Sequence, residues 1–78
     1  MISVEVKLSK DKPAPESVEI YLDSKGLTDL QGRLSLLGHG DTDHIHLMTE
    51  SWGLGDLSDE KHTNQNELIH HLKIILVD

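Results

Sequence analysis

Ile2–Leu8 reads ISVEVKL, and residues 18–22 read VEIYL. In the first stretch Ile2, Val4, Val6 and Leu8 fall on one side and Ser3, Glu5 and Lys7 on the other. In the second, Val18, Ile20 and Leu22 stand opposite Glu19 and Tyr21, with Ser17 leading in. Successive side chains of a strand point to opposite faces, so this period of two predicts two half-buried strands. Residues 9–16 between them carry Lys10, Asp11, Lys12, Pro13 and Pro15. Proline has no N–H for a sheet ladder, so the segment is expected to be an exposed connection, and a link this short makes the pair an antiparallel hairpin.

The period changes after Leu22. Asp23 and Ser24 are good helix N-caps, and Leu27, Leu30, Leu34 and Leu37 then recur at steps of three and four, which is one stripe of a helix. Gly26 and Gly32 each weaken such a helix by about 1 kcal/mol relative to alanine, so its stability must come from packing the stripe on the sheet. Gly38 is the expected stop. Alternation returns over residues 43–50, with Ile45, Leu47 and Thr49 against His44, His46 and Met48, and again over residues 68–77, where Leu68, His70, Leu72, Ile74 and Leu76 are assigned to the core face. Strand, strand, helix, strand, strand predicts an α+β fold in ββαββ order: a four-stranded, mainly antiparallel sheet with one helix packed on one face. Consistent assignment of the other face leaves Glu5, Lys7, Glu19, Tyr21, His44, His46, Met48, His71 and Lys73 together on a polar, open side, which an antiparallel sheet tolerates.

The chain, 78 residues long, accommodates a single domain spanning 1–78 and no second core. It has no cysteine, hence neither disulfides nor thiolate metal sites, and no apolar segment after Met1 suggests export; a cytoplasmic location is the expectation. No apolar run reaches the roughly 18 residues of a membrane-spanning helix. Lys and Arg number 7 against 14 Asp and Glu, a net charge of −7. Like charge repels polyanions, which argues against nucleic acid and anionic membranes as partners and favours a basic protein. Excess acid also simply keeps a small domain dissolved.

Six histidines offer the first candidate chemistry. His44 and His46 point to one side of the third strand, and His71 could join them if the last strand is its neighbour. Three imidazoles with an open fourth position would suit a zinc-dependent enzyme or a small zinc-binding protein. No HExxH motif accompanies them, and solvated or hydrogen-bonded histidines explain the same pattern. His70 is expected as a neutral, hydrogen-bonded filler near a sheet end. There is no G-x-S-x-G around Ser51, Ser58 or Thr63 and no phosphate loop, so no catalytic residue is assigned and no cofactor is expected.

The long irregular stretch, residues 51–67, is the stronger candidate, because loops of that length in compact domains commonly carry function. It holds the chain's one tryptophan, Trp52, beside Gly53 and Gly55 and followed by Asp56, Asp59 and Glu60. An aromatic anchor ringed by charge is the composition of a protein interface. Alternatively, Trp52 and Leu57 fold back and cap an open end of the core.

Residues 43–53 (DHIHLMTESWG) and 66–77 (NELIHHLKIILV) resemble the characteristic blocks of the immunity protein 32 family of bacterial polymorphic toxin systems, with weaker similarity through the first strands and helix. That family has a second glycine directly after Trp-Gly, where this chain has Leu54. The resemblance implies a small cytoplasmic α+β protein that binds and neutralises a toxin domain and contributes no catalytic residues. An acidic inhibitor suits a basic toxin, with Trp52, Asp56, Asp59 and Glu60 as the expected contacts. Two other readings stand beside it: a metal-binding protein using His44, His46 and His71, and an oligomer-forming accessory domain that pairs through its open face or edge strand.

Overall fold

In a computed structural model that describes residues 1–11 and 14–77, the N-terminal alternation forms an antiparallel hairpin of β1 (Ile2–Leu8) and β2 (Pro15–Leu22). Lys12 and Pro13, part of the expected connection, lie outside the described residues. Pro15 itself opens β2 rather than belonging to the link. That is permitted because it is the first residue of a strand at the edge of its sheet, where a missing N–H costs no ladder bond.

The molecule is α+β with antiparallel strands, but the expected single four-stranded sheet is divided. One sheet has three strands in the order β2-β1-β4, where β4 is Glu67–Leu68; the other pairs β3 (His44–Met48) with β5 (His71–Ile75). The expected last strand, residues 68–77, is thus two. Its start pairs with β1, setting Leu68 opposite Glu5, and its remainder pairs with β3, setting Leu72 opposite Leu47. Ile69 N–H donates to the Val4 carbonyl (2.8 Å), whereas the His70 carbonyl accepts from Thr49 N–H (3.0 Å), so the chain changes partners between these two residues. Ile69 and Leu72 both pack on the core although three residues apart, an odd step that strict alternation forbids. Hence the core-face assignment made for Leu72 and Ile74 holds, while at the start of the segment Ile69, not Leu68, joins the core.

The core proper is Ile2, Val4, Ile45, Leu47 and Leu57, with Leu22, Leu30, Leu37, Ile69, Leu72 and Ile74 packed around it. Helix α1 (Ser24–Leu34) covers only the end of the hairpin near Ile2 and Leu22. The distal end projects from a molecule measuring 44 × 27 × 22 Å, leaving Val18 and Ile20 exposed at 61% and 45%. The leucine stripe is only partly used as well: Leu30 and Leu37 pack on the core, but Leu27 and Leu34 face solvent. Gly26 explains the rotation. Buried against the start of β1, it brings the helix so close that a Cβ there would lie 1.9 Å from the Met1 carbonyl oxygen. The inward edge is therefore Gly26, Leu30 and Arg33, steps of four and three, and the turn beyond the helix brings Leu37 onto the same core. Asp23 caps the helix by accepting from Gly26 N–H (2.7 Å) as expected, but the last helical residue is Leu34, and turns carry the chain to Gly38, whose φ of +85° allows the reversal.

The largest correction concerns the outer face of the hairpin, which is covered. Glu5, expected on an open face, is 0% exposed, as is Ser3, and Glu19 and Tyr21 are half-buried. Residues 58–66 lie across them. The Glu5 carboxylate accepts from His62 N–H (2.7 Å), Thr63 N–H (3.2 Å), the Asn66 amide (3.1 Å) and the Ser3 hydroxyl (3.0 Å). Asn66, itself buried, also donates to Glu19 (2.8 Å), directly opposite Glu5 on β2, and so bridges two facing carboxylates that would otherwise only repel. The Tyr21 hydroxyl bonds Glu19 (2.9 Å) and Thr63 (3.0 Å), and its ring stacks on His62 at 5.1 Å. Burial favours the neutral form of Glu5, but the donors from His62, Ser3, Asn66 and Thr63 outweigh it and hold the carboxyl below its ordinary value.

A folded-state value below the unfolded one means that the unfolded chain takes up the proton first as the pH falls. The stability from Glu5 is therefore fully present above about pH 4.3 and is lost as the pH drops through the lower folded value. Glu5→Gln should cost about 1 to 3 kcal/mol at pH 7 by leaving buried donors unmatched, and urea unfolding should show this deficit shrinking toward acid pH. A deficit independent of pH would contradict a charged Glu5. The two helical glycines should diverge in the same assay. Gly32 has nothing within 4 Å of a built Cβ, so Gly32→Ala should stabilise by about 0.5 to 1 kcal/mol, whereas Gly26→Ala should destabilise.

Candidate protein-binding site

The chain leaves β3 at Thr49, makes a 3-10 turn over Glu50–Trp52, and returns to the end of the same strand: the N–H groups of Gly55 and Leu57 both donate to the Met48 carbonyl at 3.0 Å. So tight a return needs left-handed backbone, supplied by Gly53 (φ +122°) and Gly55 (φ +94°). Leu57 ends the loop buried in the core, pairing with Thr49 in an isolated parallel bridge. Trp52 does the opposite. It stands 60% exposed, its indole flat on the His70 ring, with centroids 5.2 Å apart and planes within 4°. Of the two residues proposed to cap the core, only Leu57 does so.

Under the indole lies a polar cluster. The buried Thr49 hydroxyl meets His70 Nδ1 at 2.8 Å and the Ser51 hydroxyl at 3.1 Å. Ser51 donates its hydroxyl (2.5 Å) and its N–H (3.2 Å) to the two oxygens of Asp59. These bonds, the hydroxyl foremost, hold the Asp59 carboxyl below its ordinary range against partial desolvation, so it carries full negative charge at neutral pH. His70 is thus the hydrogen-bonded histidine expected near a sheet end, though half-buried rather than in the core. Serine, histidine and aspartate meet here, but not as a relay. Ser51 (3.4 Å) and Asp59 (3.7 Å) both approach Nδ1 of His70, the nitrogen already facing Thr49, and the Ser51 proton points to Asp59. A nucleophile-activating histidine must instead take from serine on one nitrogen and give to the carboxylate with the other.

Of the four residues expected at a contact surface, Trp52, Asp59 and Glu60 are exposed and Asp56 is not free. Its carboxylate pairs with Arg33 of α1 at 3.0 Å, and the same guanidinium donates to the His46 carbonyl, tying helix, β3 and loop together. All three acids nonetheless line one surface cavity of about 360 Å³, joined by Glu50, with Ile2 and Leu57 among its apolar walls. Glu50 went unremarked in the sequence because it ends the alternating run of the third strand. Arg33, on the helix's inward edge, gave no signal beyond being a lone cation there.

The histidines of β3 and β5 do share a face. His46 Nδ1 lies 2.8 Å from His71 Nε2, and His44 stands edge-on to His46 with centroids 4.9 Å apart while its own Nδ1 meets Asp43 at 2.7 Å. Partial desolvation, then the neighbouring His44, His71, Lys73 and Arg33, push His46 toward its neutral form. Among the described residues no group of three or more His, Asp or Glu is arranged to hold a metal ion, so the alternative reading of His44, His46 and His71 as one three-ligand set finds no such grouping. His62, for which sequence offered no partner, stacks on Tyr21. No helix among the described residues is long and apolar enough to cross a membrane. Compared with protein-family models, curated proteins and solved structures, the chain matches none.

Proposed function

We propose that this chain is a non-catalytic binding protein that neutralises a basic toxin domain in the cytoplasm, as its resemblance to the immunity protein 32 family implies. The observation that carries this reading is Trp52: a large indole, mostly exposed, yet fixed on His70, in the stretch of chain whose acids Glu50, Asp56, Asp59 and Glu60 line one surface cavity. An aromatic already held in one orientation loses little conformational freedom when a partner covers it, which is what an interface anchor requires. The flanking carboxylates supply long-range attraction to a basic surface and disfavour acidic partners. In this reading Trp52 sets the lifetime of the complex, Asp59 and Glu60 set its rate of formation, and Asp56 acts mainly by holding the loop through Arg33.

The proposal requires a toxin-like protein encoded beside this chain, and co-expression with it is the test: the chain should restore growth and co-purify with that protein, and absence of such a neighbour, or failure to do either, would sink the reading. With the partner in hand, Asp59→Lys with Glu60→Lys should slow association and flatten its dependence on salt. Trp52→Ala should cost about 2 kcal/mol or more of binding, chiefly through faster dissociation. Because Trp52 is exposed, its removal should change folding stability by only about 0.5 kcal/mol, whereas Leu57→Ala should cost about 2 to 5 kcal/mol as a core cavity. Comparable losses of stability in the two variants, with Trp52→Ala binding unimpaired, would place the contact surface elsewhere.

A further inference from the structure

The β3–β5 ribbon presents a histidine pair that the contact surface around Trp52 does not use. His46 stands opposite Lys73 and His71 opposite Met48, so the two imidazoles are diagonal neighbours on one face. Their rings are inclined by 22° with centroids 5.0 Å apart, and Nδ1 of His46 is 2.8 Å from Nε2 of His71. Two imidazole nitrogens this close share one proton, one ring donating and the other presenting its lone pair. A cation in place of that proton would draw on both lone pairs.

The closeness of the rings bears on the choice of ion. With metal–nitrogen bonds of about 2.0 to 2.1 Å, ligands at a right angle lie about 2.9 Å apart and ligands at the tetrahedral angle about 3.3 Å. The observed 2.8 Å is the hydrogen bond that joins the rings without an ion, and the rings would part less to take adjacent positions around a tetragonal or octahedral ion than around a tetrahedral one. His44 does not complete a third arm, because its ring is edge-on to His46 and no three such groups among the described residues are gathered to hold an ion. With imidazole as the donor type, calcium and magnesium are disfavoured.

We propose that His46 and His71 form a cross-strand, two-imidazole site for a divalent late first-row transition-metal ion, nickel or copper in preference to zinc, with solvent completing its coordination. A bound ion clips β3 to β5, and because the unfolded chain does not hold the two rings together, it also raises the stability of the fold.

Calorimetric titration of the untagged chain with nickel chloride and, separately, zinc chloride tests this. Nickel should bind one to one and at least as tightly as zinc. His46→Ala and His71→Ala should each weaken nickel binding about tenfold or more by removing the chelate, while His44→Ala and His39→Ala should change it by less than about threefold. Substoichiometric nickel should broaden the imidazole proton resonances of His46 and His71 in the unaltered protein before those of His39 and His62, a readout that needs no variant to fold. Nickel affinity indifferent to His46 and His71, an equal loss on His44→Ala, tighter binding of zinc than nickel, or no saturable binding would each overturn the proposal.

Discussion

A carboxylate placed inside a small domain must be given donors, and the donors of Glu5 organise half of this molecule. Its position in the middle of β1 is fixed by the alternation of its neighbours, since Val4 and Val6 are turned to the opposite face. A bare charge there would cost several kcal/mol. Two backbone N–H groups of one loop, the Asn66 amide and the Ser3 hydroxyl meet it instead, leaving no buried side-chain polar atom unpaired among the described residues. Once residues 58–66 are committed to that face, the rest of the long loop has little freedom: Ser58 N–H is bonded to the Ile2 carbonyl (2.7 Å), Leu57 enters the core, and the turn before it is pushed outward with Trp52 at its tip.

The same commitment accounts for the divided sheet. The loop ends at Asn66 beside β1, so the next residues, Glu67 and Leu68, can pair only with β1. Burying Leu72 and Ile74 against Leu47 and Ile45 then requires β5 to run beside β3. One segment serves two partners, and the change of partner falls at Ile69 and His70. His70 is left at the seam, where Thr49 bonds it from within and Trp52 stacks on it from without. The surface proposed for binding thus rests on the junction between the sheets, and Arg33 braces the same junction from the helix side through Asp56 and the His46 carbonyl.

Features that depend on a residue and its near neighbours were legible in the sequence. The hairpin, the Asp23 cap, the third strand and the shared face of His44, His46 and His71 follow from period and cap chemistry. Features that depend on distant groups were not. Nothing local distinguishes the buried Glu5 from a solvated glutamate on an alternating strand, because its donors lie 57 to 61 residues away, apart from Ser3. The tilt of the helical stripe was hidden for a similar reason: Gly26 looks like a weak helix residue until the Met1 carbonyl is placed against it. Trp52 was recognisable as a candidate anchor by type, but its exposure depended on which half of its loop the core accepted.

Following the side-chain carboxyl carbon of Glu5 by NMR through an acid titration tests the central claim most directly. A buried carboxylate held by the loop should titrate below the ordinary glutamate value of about 4.3, and the amide signals of His62 and Thr63 should shift with the same midpoint. A midpoint at or above that value, with those two amides unresponsive, would mean that the loop is not anchored on Glu5.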